Sequence, residues 1–168
     1  KIAVVDLDSQ LARDKAGHIG DRGVAYDDID SMLKDFAPDV VAVCTAPCYR
    51  LEPVRKCIEA GVRAIQCEKP MASNWREAKQ LHQACEHAGV QLSFCHQRRF
   101  VPQFIEAKRL LDEGTIGDIR SFDAACPDLF DWGTHWLDMM LNFKGQSPVE
   151  WVLATFDRHQ DHRVFGEA

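Results

Sequence analysis

The chain has 168 residues, 46% hydrophobic and 27% charged, a composition that fits one globular domain or two incomplete ones. Its 26 acidic residues outnumber 20 Lys and Arg for a net charge of −6, so no basic stripe is available to neutralise phosphates and a nucleic-acid partner is excluded. The longest apolar runs, such as Val40 to Cys44, are too short to cross a bilayer, and Lys1 leads into a strand pattern rather than a secretory leader, so no membrane partner is expected.

Ile2 to Val5 is a short apolar run of strand type closed by Asp6, followed by a helical stretch around Leu11 to Ala16 and a loop from Gly17 to Gly23. Asp28 reads as the N-cap of a helix over Ile29 to Phe36, which Pro38 terminates. Val40 to Cys44 is a buried strand, Tyr49 to Ala60 a helix with Gly61 past its end, and Ala64 to Cys67 the next strand. Asn74 to Ala88 is a longer helix stopped by Gly89, and Val90 to Cys95 a strand of roughly period-two pattern. Apolar strands alternating with helices predict a parallel sheet covered on both faces. The rhythm then changes. A helix over Val101 to Glu113 ends at Gly114, Ile119 to Ala125 reads as a longer strand, Trp132 to Phe143 as a helix and Val149 to Phe156 as strand-like. The basic stretch His96, Gln97, Arg98, Arg99 marks the boundary, which gives domains over 1–97 and 98–168.

Seven cysteines, at positions 44, 48, 57, 67, 85, 95 and 126, form no C-x-x-C pair. Several fall in strands or apolar helix faces, the usage of buried reduced thiols in a cytoplasmic protein. Their spacings do not fit a zinc site, and no metal is expected.

Glu68, Lys69, Pro70 sits where a strand gives way to a helix, at the sheet edge where open α/β folds bind ligands. A lysine held there by a proline-stiffened turn is a candidate for chemistry; the plain alternative is a surface loop with a solvated ion pair. Asp6 stands at a strand end, where a carboxylate can accept hydrogen bonds from a ribose diol, although aspartates after strands also serve as turn residues and caps. Cys44, Thr45, Ala46, Pro47 follow a buried strand; small residues there let a flat ring approach, or simply make a turn. In Asp131 to Asp138, DWGTHWLD, helical spacing puts Asp131, His135 and Asp138 on one face near Trp132, Trp136 and Met139. A histidine flanked by carboxylates can act as a general base, one aspartate fixing its tautomer; alternatively Asp131 is only an N-cap and His135 an ordinary half-buried histidine. With Lys69 the set suits oxidation of a secondary alcohol, His135 taking the hydroxyl proton and Lys69 stabilising the alkoxide.

These stretches, DVVAVCTAP (Asp39 to Pro47), IEAGVRAIQCEKPMA (Ile58 to Ala72), QRRFVPQFIEAKRLLDEGTIGDIRSF (Gln97 to Phe122) and DWGTHWLD, resemble the Gfo/Idh/MocA oxidoreductases over nearly the whole chain. The resemblance implies a partial Rossmann domain, α/β and doubly wound, followed by the start of an α/β domain with an open, mostly antiparallel sheet. It implies hydride transfer between a sugar, polyol or cyclitol carbon and NAD, with NADP less favoured because Asp6 matches the ribose-binding acid. Lys69, Asp131 and His135 match the catalytic set, and Asp6, Thr45, Ala46, Pro47, Glu68, Lys69, Pro70 and Arg98 fall on the cofactor side. Pro70 is expected to follow a cis peptide bond. The whole protein is expected to be a homo-oligomer.

The chain departs from the family pattern in carrying Cys48 and Arg50 where many members have histidines, so substrate contacts there are expected to differ. A glycine-rich turn, which would lie roughly 20 residues before Asp6, is absent, and the chain reads as an internal piece that by itself binds dinucleotide poorly. Two rivals remain: an NAD-dependent glycosidase that oxidises a sugar transiently, and a non-catalytic sensor that keeps the nucleotide fold.

Overall fold

Five four-residue strands order the amino-terminal part of the chain, and every ladder between them is parallel. In the computed structural model, which describes residues 1–145, 147–155 and 163–165, they are β1 (Ile2–Val5), β2 (Gly23–Tyr26), β3 (Val40–Val43), β4 (Ala64–Cys67) and β5 (Gln91–Phe94). β1 pairs with β2, and β3, β4 and β5 form a second sheet in that order, with Val43 opposite Cys67 and Cys67 opposite Phe94. Parallel neighbours need crossover connections, supplied by helices α1 (Ser9–Ile19), α2 (Ile29–Phe36), α3 (Leu51–Glu59) and α4 (Trp75–Ala88). The chain separates into two units, Lys1–Phe94 and Cys95–Ala168.

Local chemistry sets the helix ends. The Asp8 carboxylate accepts from the Gln10 and Leu11 amides, that of Asp28 from Ser31 (2.7 Å), and the Asn74 side chain from Glu77 (3.1 Å). Gly89 closes α4 in the left-handed region at φ 67°. Ala37 leaves the right-handed helix at φ 46° and closes α2 in the left-handed region, and Pro38, with no amide hydrogen, follows where the helix has ended. The predicted helix over Tyr49 to Ala60 is instead a 3-10 turn, Pro47–Tyr49, leading into α3.

The predicted loop from Gly17 to Gly23 is corrected: α1 runs on to Ile19, a 3-10 turn covers Gly20–Arg22, and Gly23 opens β2. α1 lies so close to β2 that a Cβ on residue 23 would overlap the Ala16 carbonyl, so the strand starts with the residue least disposed to strand formation.

Val41, Val43, Ile65, Cys67, Leu92 and Phe94 alternate onto one face and meet Met32, Leu33, Val54, Cys57, Leu81 and Cys85 of α2, α3 and α4. Ala3, Val5 and Tyr26 join the same core, while α1 packs against β1 and β2 through Ala12 and Ala16. The β1–β2 pair therefore carries helices on both faces. The expectation that both faces of the sheet are covered fails for β3–β5, where Val40, Ala42, Gln66, Gln91 and Ser93 are exposed on the alternate positions.

In the second unit a 3-10 turn (Gln97–Phe100) precedes α5 (Pro102–Asp112) and α6 (Trp132–Lys144). Pro102 fits the first helical turn, where no amide partner is lost. Phe104 meets Trp136 edge to face at 6.3 Å, which joins α5 to α6. The predicted strand over Ile119 to Ala125 joins no ladder, and residues 149–155 likewise pair with no strand among the described residues; Phe156 lies outside them. A strand gains stability only from partners in a sheet, and none is described for either segment. No helix among the described residues is long and apolar enough to cross a membrane.

Candidate active site

The turns after β3 and β4 lie side by side because their strands are laddered to the last residue, and the Glu68 amide still donates to the Val43 carbonyl at 3.1 Å. Thr45 is exposed, Ala46 half-buried and Pro47 buried, so the turn after β3 presents a hydroxyl on a stiff, small-residue base. In the turn after β4, Glu68 and Lys69 are half-buried, Pro70 is buried, and the Lys69–Pro70 peptide is cis as expected. The Glu68 carboxylate accepts from the Lys69 amide at 3.2 Å, which folds the acid back against its own turn.

Arg50 joins these turns. It is 1% exposed, and its guanidinium donates to the carbonyls of Pro70, Met71 (3.3 Å) and Thr45 (2.6 Å). Burial lowers its pKa, an effect offset by nearby Cys67 and Glu68. The Arg50 side chain is turned into the protein, and its terminal nitrogens bond backbone carbonyls. Cys67, the last residue of β4, is 1% exposed, and burial pushes its thiol up to about 12.

Asp6 follows β1, and its Oδ1 accepts from the Asp8 amide at 2.9 Å. The turn-residue reading of Asp6 is thus met by one carboxylate oxygen. Asp6, the Thr45–Pro47 turn and the Glu68–Pro70 turn each follow the carboxyl end of a strand in a parallel ladder, β1, β3 and β4. A shallow depression of about 640 Å³ lined by Asp39, Arg63, Ala64 and Gln91 lies at the opposite, amino ends of β3–β5 and contains none of these residues.

In the second unit, α6 carries Asp131 at its start and His135 one turn on. Asp131 occupies the N-cap position of α6 as one reading expected, but its side chain makes no capping bond; the Asp128 carboxylate accepts from the Asp131 and Trp132 amides instead. His135 is 5% exposed and meets the His96 ring edge to face, with centroids 5.9 Å apart. Asp138 serves a different partner from the one its helical spacing suggested. Both of its oxygens accept from Arg99, each at 2.6 Å, and the pair raises the Arg99 pKa, while His96 Nδ1 lies 3.9 Å away. Arg98 lies over the rings of Trp132 (5.3 Å) and Trp136 (4.9 Å), held on α6 by cation–π contact. Spacing missed His96 and Arg99, whose only mark in the sequence was the basic run at 96–99, and Arg50 was marked only as a departure from the family pattern.

Residues 2–96 match the model of the oxidoreductase family with an NAD-binding Rossmann fold, and the chain belongs to that family. It is similar to the scyllo-inositol 2-dehydrogenase (NADP(+)) IolW of Bacillus subtilis, 28% identical over 137 residues, 70% of this chain and 38% of that one. A putative myo-inositol dehydrogenase from Sinorhizobium meliloti 1021 superposes with a TM-score of 0.74 and 25% identity over 89% of this chain and 49% of that one. GenD2 of gentamicin A biosynthesis, solved in complex with NAD, shares the fold with a TM-score of 0.75 and 24% identity, over 87% of this chain and 46% of that one. The chain spans about 38% of the length of the Bacillus relative.

Proposed function

We propose that the whole protein is an NAD-dependent oxidoreductase acting on a hydroxyl-bearing carbon of a sugar, polyol or cyclitol. The observation that carries this reading is Lys69 in the cis-proline turn at the carboxyl end of a parallel strand, in a chain of this family. Lys69 donates to the substrate oxygen and stabilises the negative charge that grows on it. His135 takes the O–H proton, and Asp131, one helical turn before it, orients the ring. NAD, when bound, supplies the oxidant that accepts the carbon-bound hydrogen with its electron pair. Thr45 and Pro47 would border the nicotinamide, Asp6 would accept from the ribose diol and disfavour a 2′-phosphate, and Ala46, Glu68, Pro70 and Arg98 would complete the cofactor side. The domain division proposed is 1–97 for the nucleotide and 98–168 for the start of the substrate domain.

Inositol dehydrogenases among the similar proteins support the substrate class. Seven thiols joined by no disulfide support a cytoplasmic setting. Exposed apolar side chains at Val149, Trp151, Val152 and Leu153 support a homo-oligomer that covers them. The test is an NAD-coupled screen of sugars and inositols on the whole protein. A reduced-cofactor signal that Lys69→Ala abolishes supports the reading. Nitrophenol release from a chromogenic glycoside without net cofactor reduction replaces it with the glycosidase, and unchanged biological activity in Lys69→Ala replaces it with the sensor.

A further inference from the structure

A fully buried arginine is uncommon, because a cation removed from water costs several kcal/mol unless its donors are met. Arg50, placed between the 3-10 turn Pro47–Tyr49 and α3, meets that demand with main-chain oxygens alone. One terminal nitrogen donates to the Pro70 and Met71 carbonyls, and the other donates to Thr45 at 2.6 Å. The guanidinium is planar and rigid, so the two nitrogens hold a fixed separation and impose it on whatever they bind. Here they bind different turns. The ladder between β3 and β4 ends at the bond from the Glu68 amide to Val43, and Arg50 continues the link beyond it. Its Nε has no hydrogen-bond partner, a cost accepted while both terminal nitrogens are engaged across the two turns.

We propose that Arg50 is a positioning residue, whose guanidinium fixes the distance between the Thr45 turn and the Lys69 turn and so holds the Lys69 ammonium in register with the cofactor base. The inference rests on the proposed role of Lys69. A lysine ammonium at position 50 is a single point donor and cannot keep the fork. A histidine there donates at most one bond toward either turn.

The experiment compares wild type, Arg50→Lys, Arg50→His and Lys69→Ala in the whole protein. Peptide-level hydrogen exchange over 45–50 and 68–72 is read alongside kcat and KM for the polyol that the screen identifies. Arg50→Lys is expected to speed exchange of both segments together, by about tenfold or more, with the α1 peptides unchanged. It is also expected to lower kcat by about 10²-fold with KM held within about threefold, since a displacement near 1 Å has that effect on a positioned group. Neither variant restores the wild-type rate. Exchange at wild-type rates in both segments, with kcat within about twofold while Lys69→Ala is inactive, overturns the inference. If Lys69→Ala stays active, the reading of Lys69 falls, and the exchange data alone decide whether Arg50 joins the turns. Should Arg50→Lys fail to fold, Arg50→His is read in its place. The wild type is also decisive by itself: the two segments must open as one unit, and opening free energies that differ between them contradict the bracket.

Discussion

Raising the pH should strip stability from the first unit through two thiols. Cys57 and Cys67 are 0% and 1% exposed, and burial lifts them from an ordinary value of 9.0 to about 11 and about 12. A group whose folded pKa is raised contributes stability that is present in full below the unfolded value and is lost as pH climbs through the folded one. The window therefore opens at 9.0 and closes at about 11 for Cys57 and about 12 for Cys67. At pH 10.5 the unfolded thiols are almost wholly ionised and the folded ones mostly protonated. With about 1.4 kcal/mol for each pH unit, each thiol then costs about 2 kcal/mol relative to pH 8, or about 4 kcal/mol together. That is a large share of the 5 to 15 kcal/mol, roughly, that holds an ordinary domain. The assay is urea unfolding at pH 8, 9.5 and 10.5 for wild type and the Cys57→Ala/Cys67→Ala double variant. Lysines and tyrosines titrate alike in both proteins, so the comparison isolates the thiols. Equal loss of stability in the two proteins between pH 8 and 10.5 refutes the argument.

Leu81 is 0% exposed in the core beneath β3–β5, so Leu81→Ala should cost about 2–5 kcal/mol in a urea titration, and a loss near zero would mean the core is not packed around it. Asn74→Ala removes the cap from the Glu77 amide at the start of α4 and should cost about 1 kcal/mol, read as a lower unfolding midpoint at unchanged slope. Asp138→Asn breaks a bidentate pair with Arg99 that is half-buried, and should lower the stability of the second unit by about 1–3 kcal/mol; a variant as stable as wild type assigns the pair no structural weight.

What the sequence made legible follows from the range over which each signal acts. Asp28 and Asn74 were visible as caps because a cap acts on the next turn of its own chain. The Glu68–Pro70 turn stood out because an apolar strand ends there, and β4 does end at Cys67. β2 was hidden, since Gly23 and Ala25 carry no strand signature; the smallness of Gly23 answers to the Ala16 carbonyl of α1 lying against it, a tertiary cause. The partner of Asp138 was misjudged for a similar reason. Helical spacing favours groups three or four residues away, whereas Arg99 lies 39 residues off. Arg50 resembles any arginine at the start of a surface helix until its acceptors, 20 and 21 residues along the chain, are seen. The segments at 119–125 and 149–155 carry strand composition, but composition supplies no ladder partner.

The central proposal is that the Lys69 ammonium and the His135 imidazole act on the same substrate hydroxyl oxygen. It is tested most directly by kcat/KM for wild type, Lys69→Ala, His135→Ala and the double variant on the polyol that the screen identifies. Groups acting as one unit give non-additive losses, so each single variant should fall by about 10²–10⁴-fold and the double by little more than the worse single. Losses that multiply, or a single variant with wild-type kcat/KM, would contradict the account.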